Sequence, residues 1–545
     1  MDKTQRQFFL MPIPPTPNGR LHLGHIAGPY LRMDIVGRYL RTQGHKVETI
    51  SAVNGFDSYV LWKGVQEGRS PHEVCQDYHA QIAKDLEALD IQVDDFLELV
   101  SGPFANGHAR RTRTIVEKLV ALGVTETVTE RVLFSRTTNR YIVGAWLVGQ
   151  CPYCKSNAAG YFCEACGALI QPQRMVGPKP RLGDADLEWR DIETLFLSVA
   201  DRPALVQRIE AYGAPREFLE IAHRHLEREN GLIRLTAPGQ WGVSWDADRF
   251  GNPRVLFEAG WEHALTCGAC YESRGPTRAH PMERNGRITS LVSFGIDNAV
   301  LLLVASIAIL DHLCDRQPFN HVLTNYFCNL QGSKFSTSRL HVIWAADIVN
   351  MTPATSDAIR LFLAKENPEQ GETNFDLGGF IHFVNHELVD LLQTRIATAG
   401  DTLLRYGARS LEMSPAQKAA LPECLLAHDS AFCLDAVSIR SAYVILRAWM
   451  SLPPEDLTNA PSAYGWLKVL AYLAFPIMPT LGKALWVGLG CEGDPRREVL
   501  LDASRPQVQG MSSSWFLPLS IELLRPCLPT SFEHQTHEEG AKHAQ

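Results

Sequence analysis

Phe8-Phe9-Leu10-Met11-Pro12-Ile13-Pro14-Pro15-Thr16-Pro17-Asn18-Gly19-Arg20-Leu21-His22-Leu23-Gly24-His25 is the stretch on which the fold turns. Residues 8–13 are apolar and read as a short buried strand, which stops at the breaker-rich loop 14–19. From Gly24 to about Thr42, Ile26, Tyr30, Met33, Val36 and Leu40 recur at helical spacing. Gly44-His45 ends that helix, and residues 47–53 read as the next strand. Strand, tight loop, helix and strand make a βαβ unit, and open α/β sheets bind ligands at the carboxyl ends of such strands. His22-Leu23-Gly24-His25 sits at the loop-to-helix junction. Two imidazoles beside a glycine, which lets a ligand approach the backbone, suit recognition of a polyphosphate at a helix N-terminus. The plainer reading is a loop with two surface histidines.

Outward from this unit the rhythm breaks over about 115–240, then strand-like segments resume near Val255-Leu256-Phe257 and at 288–294. The richest apolar run, 299–310, follows as a buried helix. This order predicts a nucleotide-binding sheet split by an insertion. Helical periodicity dominates from about 380, with Phe380, Phe383, Leu388, Leu391 and Leu392 as one buried face. Residues 529–545 are polar and rich in His and Glu, and are expected to be a disordered tail.

Two further motifs carry chemistry. Lys334-Phe335-Ser336-Thr337-Ser338-Arg339 is a loop with a cation and small hydroxyls. Such a loop can close over a leaving pyrophosphate and stabilise charge that develops only in the transition state, although Lys- and Ser-rich loops are commonly just solvated. Cys151-Pro152-Tyr153-Cys154, eight residues, then Cys163-Glu164-Ala165-Cys166 can offer four thiolates to one tetrahedral, structural zinc. Two redox pairs or four free thiols are the alternative. Cys267-Gly268-Ala269-Cys270 has no partner pair and reads as structural or incidental.

The chain's 545 residues suggest two to four domains. An apolar content of 45% with 21% charged residues predicts a sizeable core. A formal net charge of −8 gives no overall basic footprint for gripping nucleic acid, although a basic groove can coexist with it. No apolar run reaches the roughly 18–20 residues of a membrane span. The N-terminus lacks a signal-peptide pattern, and the thirteen cysteines fit a reducing compartment, so a cytoplasmic location is expected.

Together His22-Leu23-Gly24-His25 early and Lys334-Phe335-Ser336-Thr337-Ser338 late resemble the HIGH and KMSKS signatures of class I aminoacyl-tRNA synthetases. The loop 14–19 resembles the one preceding HIGH. The stretch from Asn367-Pro368-Glu369 through Asn374-Phe375-Asp376 to Asn385 resembles the joint between catalytic and anticodon domains of methionyl enzymes. Phe475-Pro476-Ile477-Met478-Pro479, then Leu485-Trp486, resembles a late helix of their bundle, and the cysteine knuckle placed inside the insertion is similar to theirs.

The resemblance implies a Rossmann-like, HUP-type α/β fold with a parallel sheet split by a zinc-knuckle insertion and followed by an α-helical bundle. Its segments are the catalytic first half at 1–115, the insertion at 116–240 and the second half at 241–335. A linking segment with the lysine loop at 336–380, an anticodon-binding-like bundle at 381–525 and a tail at 526–545 complete it. It further implies an ATP-dependent ligase that forms an aminoacyl-adenylate, using Mg2+ with the ATP and structural Zn2+ on Cys151, Cys154, Cys163 and Cys166. His22, His25, Lys334, Ser336 and Ser338 take the catalytic positions. Asn18, Gly24, Gly295, Asp297 and Phe335 take the ATP-binding ones, with a helix N-cap as the alternative for Asp297.

The amino-acid pocket departs from the methionyl pattern. Asn54 stands where the family's ammonium-binding Asp is expected, with Asp57 as a shifted substitute. Leu256, His263, Leu302 and Ser306 replace a Trp, a Tyr, a His and a Trp, and Thr16 replaces the Tyr that closes the pocket, near Ile13. Thr394 and Thr398 stand where an Asn and an Arg read the anticodon, and Trp449 and Trp466 do not match its stacking Trp. These departures predict an amino acid other than methionine, passed to a small amine or hydroxylamine in natural-product biosynthesis. A working methionyl- or other aminoacyl-tRNA synthetase, charging tRNA, is the alternative, and a non-catalytic tRNA-binding descendant is the second. No membrane partner is expected.

Overall fold

The computed structural model describes residues 5–183, 185–337, 339–407, 409–451, 457–507 and 514–529. Ser338 and most of the expected tail, from residue 530, lie outside the described residues. No described helix is long and apolar enough to cross a membrane.

Five parallel strands form the central sheet, in the spatial order His321–Asn325, Ile288–Gly295, Gln7–Pro12, Lys46–Ala52, Asp95–Leu97. Gln7–Pro12 lies in the middle, which is why Phe8, Phe9, Leu10 and Met11 are apolar on both faces and fully buried. Its register with the far strand runs from Gln7 opposite Ile288 to Pro12 opposite Ser293. The chain winds one way from Gln7–Pro12 to Asp95–Leu97 and the other way through Ile288–Gly295. The switch point, where α/β sheets hold ligands, therefore lies between these two neighbouring strands. The stretch Arg254–Leu256 joins Thr236–Pro238 in a small antiparallel sheet instead of the parallel one.

The expected helix from Gly24 is broken. Leu23–His25 is a single turn, residues 26–30 form a wide turn, and regular helix runs only over Leu31–Thr42. Pro29 has no N–H and pushes Gly28 out of helical geometry, to φ −83° and ψ −111°. A Cβ on Gly28 would collide with the amide of Asn325, so the break lets the end of the strand His321–Asn325 come against this turn.

Between the halves, Thr125–Ser135 and Leu187–Ser198 pair along their length in an antiparallel sheet. The knuckle hangs from the strand Leu147–Gln150, flanked by Asn157–Ala159 and Val176–Pro180. The C-terminal part is helical, with Leu377–Phe383, Thr394–Tyr406, Pro415–Ala431, Ile439–Met450, Ala460–Ala474 and Pro479–Gly488. Phe380, Phe383, Leu388 and Leu392 are buried as expected, while Leu391 is half-buried.

Buried polar ties fasten this bundle to the turn that carries His22 and His25. Asp34 accepts from Arg38 at 2.8 Å and from Arg360 at 2.6 Å, and Arg360 also donates to the Pro476 and Ile477 carbonyls. Asn367 donates to the Ala27 carbonyl at 2.9 Å, and Glu369 accepts from Ser438 and the Ile439 and Arg440 amides. The linking segment thus holds the early turn and the bundle in fixed relation.

Candidate active site

His22 caps the Leu23–His25 turn, and the cap is reciprocal. His22 Nδ1 accepts from the His25 amide and His25 Nδ1 from the His22 amide, both at 3.3 Å. Backbone donors therefore occupy both Nδ1 atoms, which places the ring protons of the neutral imidazoles on Nε2. Burial holds the neutral forms: His22 is lowered well below the ordinary histidine range, with His25 adding to the effect, and His25 is lowered to about 4. His25 is open to the cleft, but the surrounding protein still weakens hydration of its charged form. The site thus presents two stacked rings, 3.6 Å between centroids, with Nε2–H groups available as donors.

The lysine loop folds onto this turn. Phe335 is buried and stacks on His22 at 4.6 Å with planes 6° apart. A Cβ on Gly24 would lie 2.7 Å from Phe335 Cδ2, so only glycine admits the ring this closely. The backbones are laced as well. The Leu23 amide donates to Ile343 O at 3.0 Å and the Ala345 amide to Leu21 O at 2.9 Å. Asp85, missed in the sequence reading, clamps both sides of this seam. It accepts from the Leu21 and Ala346 amides and pairs with Arg20 through both oxygens. It lies inside the helix Pro71–Ala88 with no local signal to mark it.

Lys334 lies in a two-residue strand antiparallel to Cys328–Leu330. Its ammonium sits 3.9 Å over the Phe327 ring and 2.8 Å from Glu164 Oε2. Glu164 projects from the cysteine knuckle, so the tip of the insertion touches the loop. Ser336 and His341 close the loop by exchanging backbone hydrogen bonds, and Leu340 takes φ +54°.

Across the switch point, Gly295 caps the turn Ile296–Asn298, which makes Asp297 a member of that turn and not its cap. Burial raises the Asp297 carboxyl, and the nearby Lys334 charge counters this. Asp297 Oδ1 accepts from Asn298 at 3.0 Å and would sit 2.7 Å from a Cβ on Gly295. Asn18 lies in the tight turn of the Pro-rich loop, its amide donating to Thr16 O at 2.9 Å.

The residues expected to line an amino-acid pocket fall on several elements. Ile13 continues the central strand by donating to Ser293 O at 2.9 Å. Thr16 Oγ1 and Asn54 Nδ2 lie 3.4 and 3.5 Å from Asp57 Oδ2, and the Asn54 amide donates to Pro15 O. Asp57 Oδ1 caps the helix Ser58–Glu67 through the Tyr59 amide at 2.9 Å, and burial raises its carboxyl. Leu256, His263 and Leu302 are buried. Leu302 packs against Gly260 at the start of the helix Trp261–Ser273, and Ser306 donates to Leu301 O.

The four cysteines converge. Their sulfurs lie within 4.8 Å of one another, with Cys151 to Cys166 at 3.8 Å and Cys154 to Cys163 at 3.5 Å. Zinc–sulfur bonds of about 2.3 Å in a tetrahedron set sulfurs about 3.8 Å apart, so this cluster fits a closed zinc site.

On the bundle, Thr394 and Thr398 lie along one helix, with Thr398 donating to Thr394 O at 2.9 Å. Trp449 and Trp466 are buried and donate their indole N–H groups to each other's backbone carbonyls, which makes them core residues.

Comparison with known proteins follows the same lines. A family profile described as tRNA synthetases class I (M) matches residues 12–397. The methionine–tRNA ligase of Roseiflexus sp. (strain RS-1) is 30% identical over 392 residues, covering 69% of this chain and 65% of that protein. This chain therefore spans about two thirds of that relative's length. The methionine–tRNA ligase of Thermoplasma acidophilum is 26% identical over 429 residues, covering 73% and 76%. Mycobacterium tuberculosis methionyl-tRNA synthetase, solved with methionyl-adenylate, superposes with a TM-score of 0.68 over 92% of this chain and 98% of that one. At 14% identity, that likeness speaks for the fold.

Proposed function

The chain belongs to the class I tRNA synthetases of the (M) group, and from that premise we propose that it is an ATP-dependent, AMP-forming ligase. An amino-acid carboxylate oxygen bonds to the α-phosphorus of ATP, the bond to the β-phosphate bridge breaks, and pyrophosphate leaves with an aminoacyl-adenylate behind. The observation that carries this reading is the stacking of Phe335 on His22 at the switch point of the sheet. Two far-separated motifs build one cleft there. The displacement needs positioning and charge balance more than covalent help. His22 and His25 donate to the phosphates from Nε2. Lys334, once released from Glu164, balances the leaving charge, Ser336 shapes its loop, and Ser338, outside the described residues, takes a catalytic position by resemblance alone. Asn18, Gly24, Gly295 and Phe335 form the nucleotide bed, and Asp297 accepts from the ribose hydroxyls. Mg2+ accompanies the triphosphate. Zn2+ on Cys151, Cys154, Cys163 and Cys166 is closed and structural, and a reducing cytoplasm suits such thiolates.

The relatives' names support methionine as the amino acid and tRNA as the acceptor. The side chains around His263 support another amino acid, and Thr394 and Thr398 at the expected anticodon positions support a small amine or hydroxylamine acceptor. Pyrophosphate exchange across a panel of amino acids tests the ligase reading and the choice together. Exchange strongest with methionine, with charging of initiator tRNA, establishes the methionyl reading. Exchange with no amino acid refutes adenylation. Metal analysis should find about one zinc per chain, and zinc-free protein of normal stability would refute the structural site.

A further inference from the structure

Near Asp57, which Thr16 and Asn54 approach, lies a buried charge, that of Glu258. Glu258 follows the strand Arg254–Leu256 and precedes the helix Trp261–Ser273, and its side chain is 7% exposed. His108, wholly buried on the helix Ala105–Ala121, fixes one oxygen: His108 Nε2 is 2.7 Å from Glu258 Oε1. The other His108 nitrogen lies 2.9 Å from Thr266 Oγ1. Thr266 donates its proton to Glu262 O at 2.9 Å, so this side of the cluster is satisfied.

The other oxygen is not. Glu258 Oε2 has no hydrogen-bond partner among the described residues. His263 Nε2 stands 3.4 Å from it, and that buried ring has the Val53 backbone as its other polar neighbour. Asn54 Oδ1, the next residue along, is also unpartnered. His263 and His108 hold Glu258 in its ionised form against burial, burial lowers His263 to about 4, and the charge of Glu258 reaches Asp57. Glu258 Oε2 and Asn54 Oδ1 are therefore acceptors without a hydrogen-bond partner among the described residues, and the neutral imidazole of His263 beside them carries a single N–H. Leu256 and Leu302 supply the apolar wall. A methionine sulfur brings no donor to these acceptors, whereas a side chain ending in a charged nitrogen brings two or three.

We propose that Glu258 and His263, backed by His108, form a specificity subsite for an amino acid whose side chain ends in an amine. The subsite rests on the adenylation reading above for its purpose, but its occupancy is measurable without it. Equilibrium binding of lysine, ornithine, 2,4-diaminobutyrate, methionine and norleucine to the full chain is the first measurement. ATP–pyrophosphate exchange with the same acids is the second. An amine-ending acid should bind and exchange at least tenfold better than methionine. In E258Q this preference should fall by roughly 10²-fold or more, because a neutral amide no longer matches the ammonium. Methionine or norleucine binding tightest to the native chain overturns the proposal. So does an E258Q variant that weakens every acid equally, which would place the α-ammonium and not the side chain on Glu258. Thermal unfolding of E258Q separates a misfolded variant from an altered pocket, and H263L supplies a second route to the same loss. Amine-selective binding without exchange supports the subsite and refutes adenylation.

Discussion

Replacing Gly24 by alanine probes the contact between the two signature motifs directly. The new Cβ would stand 2.7 and 3.1 Å from Phe335 Cδ2 and Cε2 and 3.1 Å from His22 Nδ1. Carbon atoms in contact prefer roughly 3.5–4.0 Å, so one ring must retreat by about 0.8 Å or more. Neither ring is free to do so. Phe335 is 7% exposed and lies flat on His22, whose Nδ1 is held by the His25 amide. Forced overpacking of this kind costs about 1–3 kcal/mol. If the loop yields, the closed arrangement is depopulated about 5- to 150-fold, and the exchange rate falls with it. The assay is pyrophosphate exchange against ATP concentration, alongside thermal unfolding. Gly107→Ala, at a helical site with nothing within 4 Å, serves as the control. A G24A protein with native rate and native KM for ATP would refute the claim that nucleotide chemistry depends on this contact.

Lys334→Ala should lower the adenylation rate by roughly 10²–10³ with little change in amino-acid affinity, read as kcat against KM in exchange assays. Asp34→Asn leaves Arg360, which is 0% exposed, without its carboxylate. A loss of about 3–5 kcal/mol is expected, seen as a lower urea midpoint with unchanged slope. His225, His263 and His428 are each lowered by burial from 6.5 to about 4. The unfolded chain binds protons in that interval and the folded chain does not. The stability these histidines contribute should therefore be constant above about pH 6.5 and be lost as pH drops towards 4, checked as the difference in melting temperature across that range between the native chain and an H428L variant.

Much of the architecture was legible in the chain because the signals are local and dense. Phe8 to Met11 carry no polar residue, the Pro-rich loop stops the strand, and the two Cys-x-x-Cys turns announce a four-sulfur cluster by spacing alone. The helix break at Gly28 was misread because apolar spacing continued through Pro29. The glycine's reason for being there, the close approach of Asn325, comes from a strand near residue 325. Trp449 and Trp466 looked out of context as nucleic-acid stackers, and their mutual indole-to-carbonyl bonds explain why.

The sequence determined by itself that a split parallel sheet, a cysteine knuckle and a helical bundle follow one another, since strand, helix and metal-ligand patterns are written over a few residues each. Only the tertiary structure decided what surrounds the substrate. Asp85, Glu164, His108 and Glu258 sit in ordinary-looking stretches and acquire meaning through partners far away in the chain. A carboxylate becomes a clamp, a latch or a selector only when burial removes water and leaves specific donors, or none, within reach.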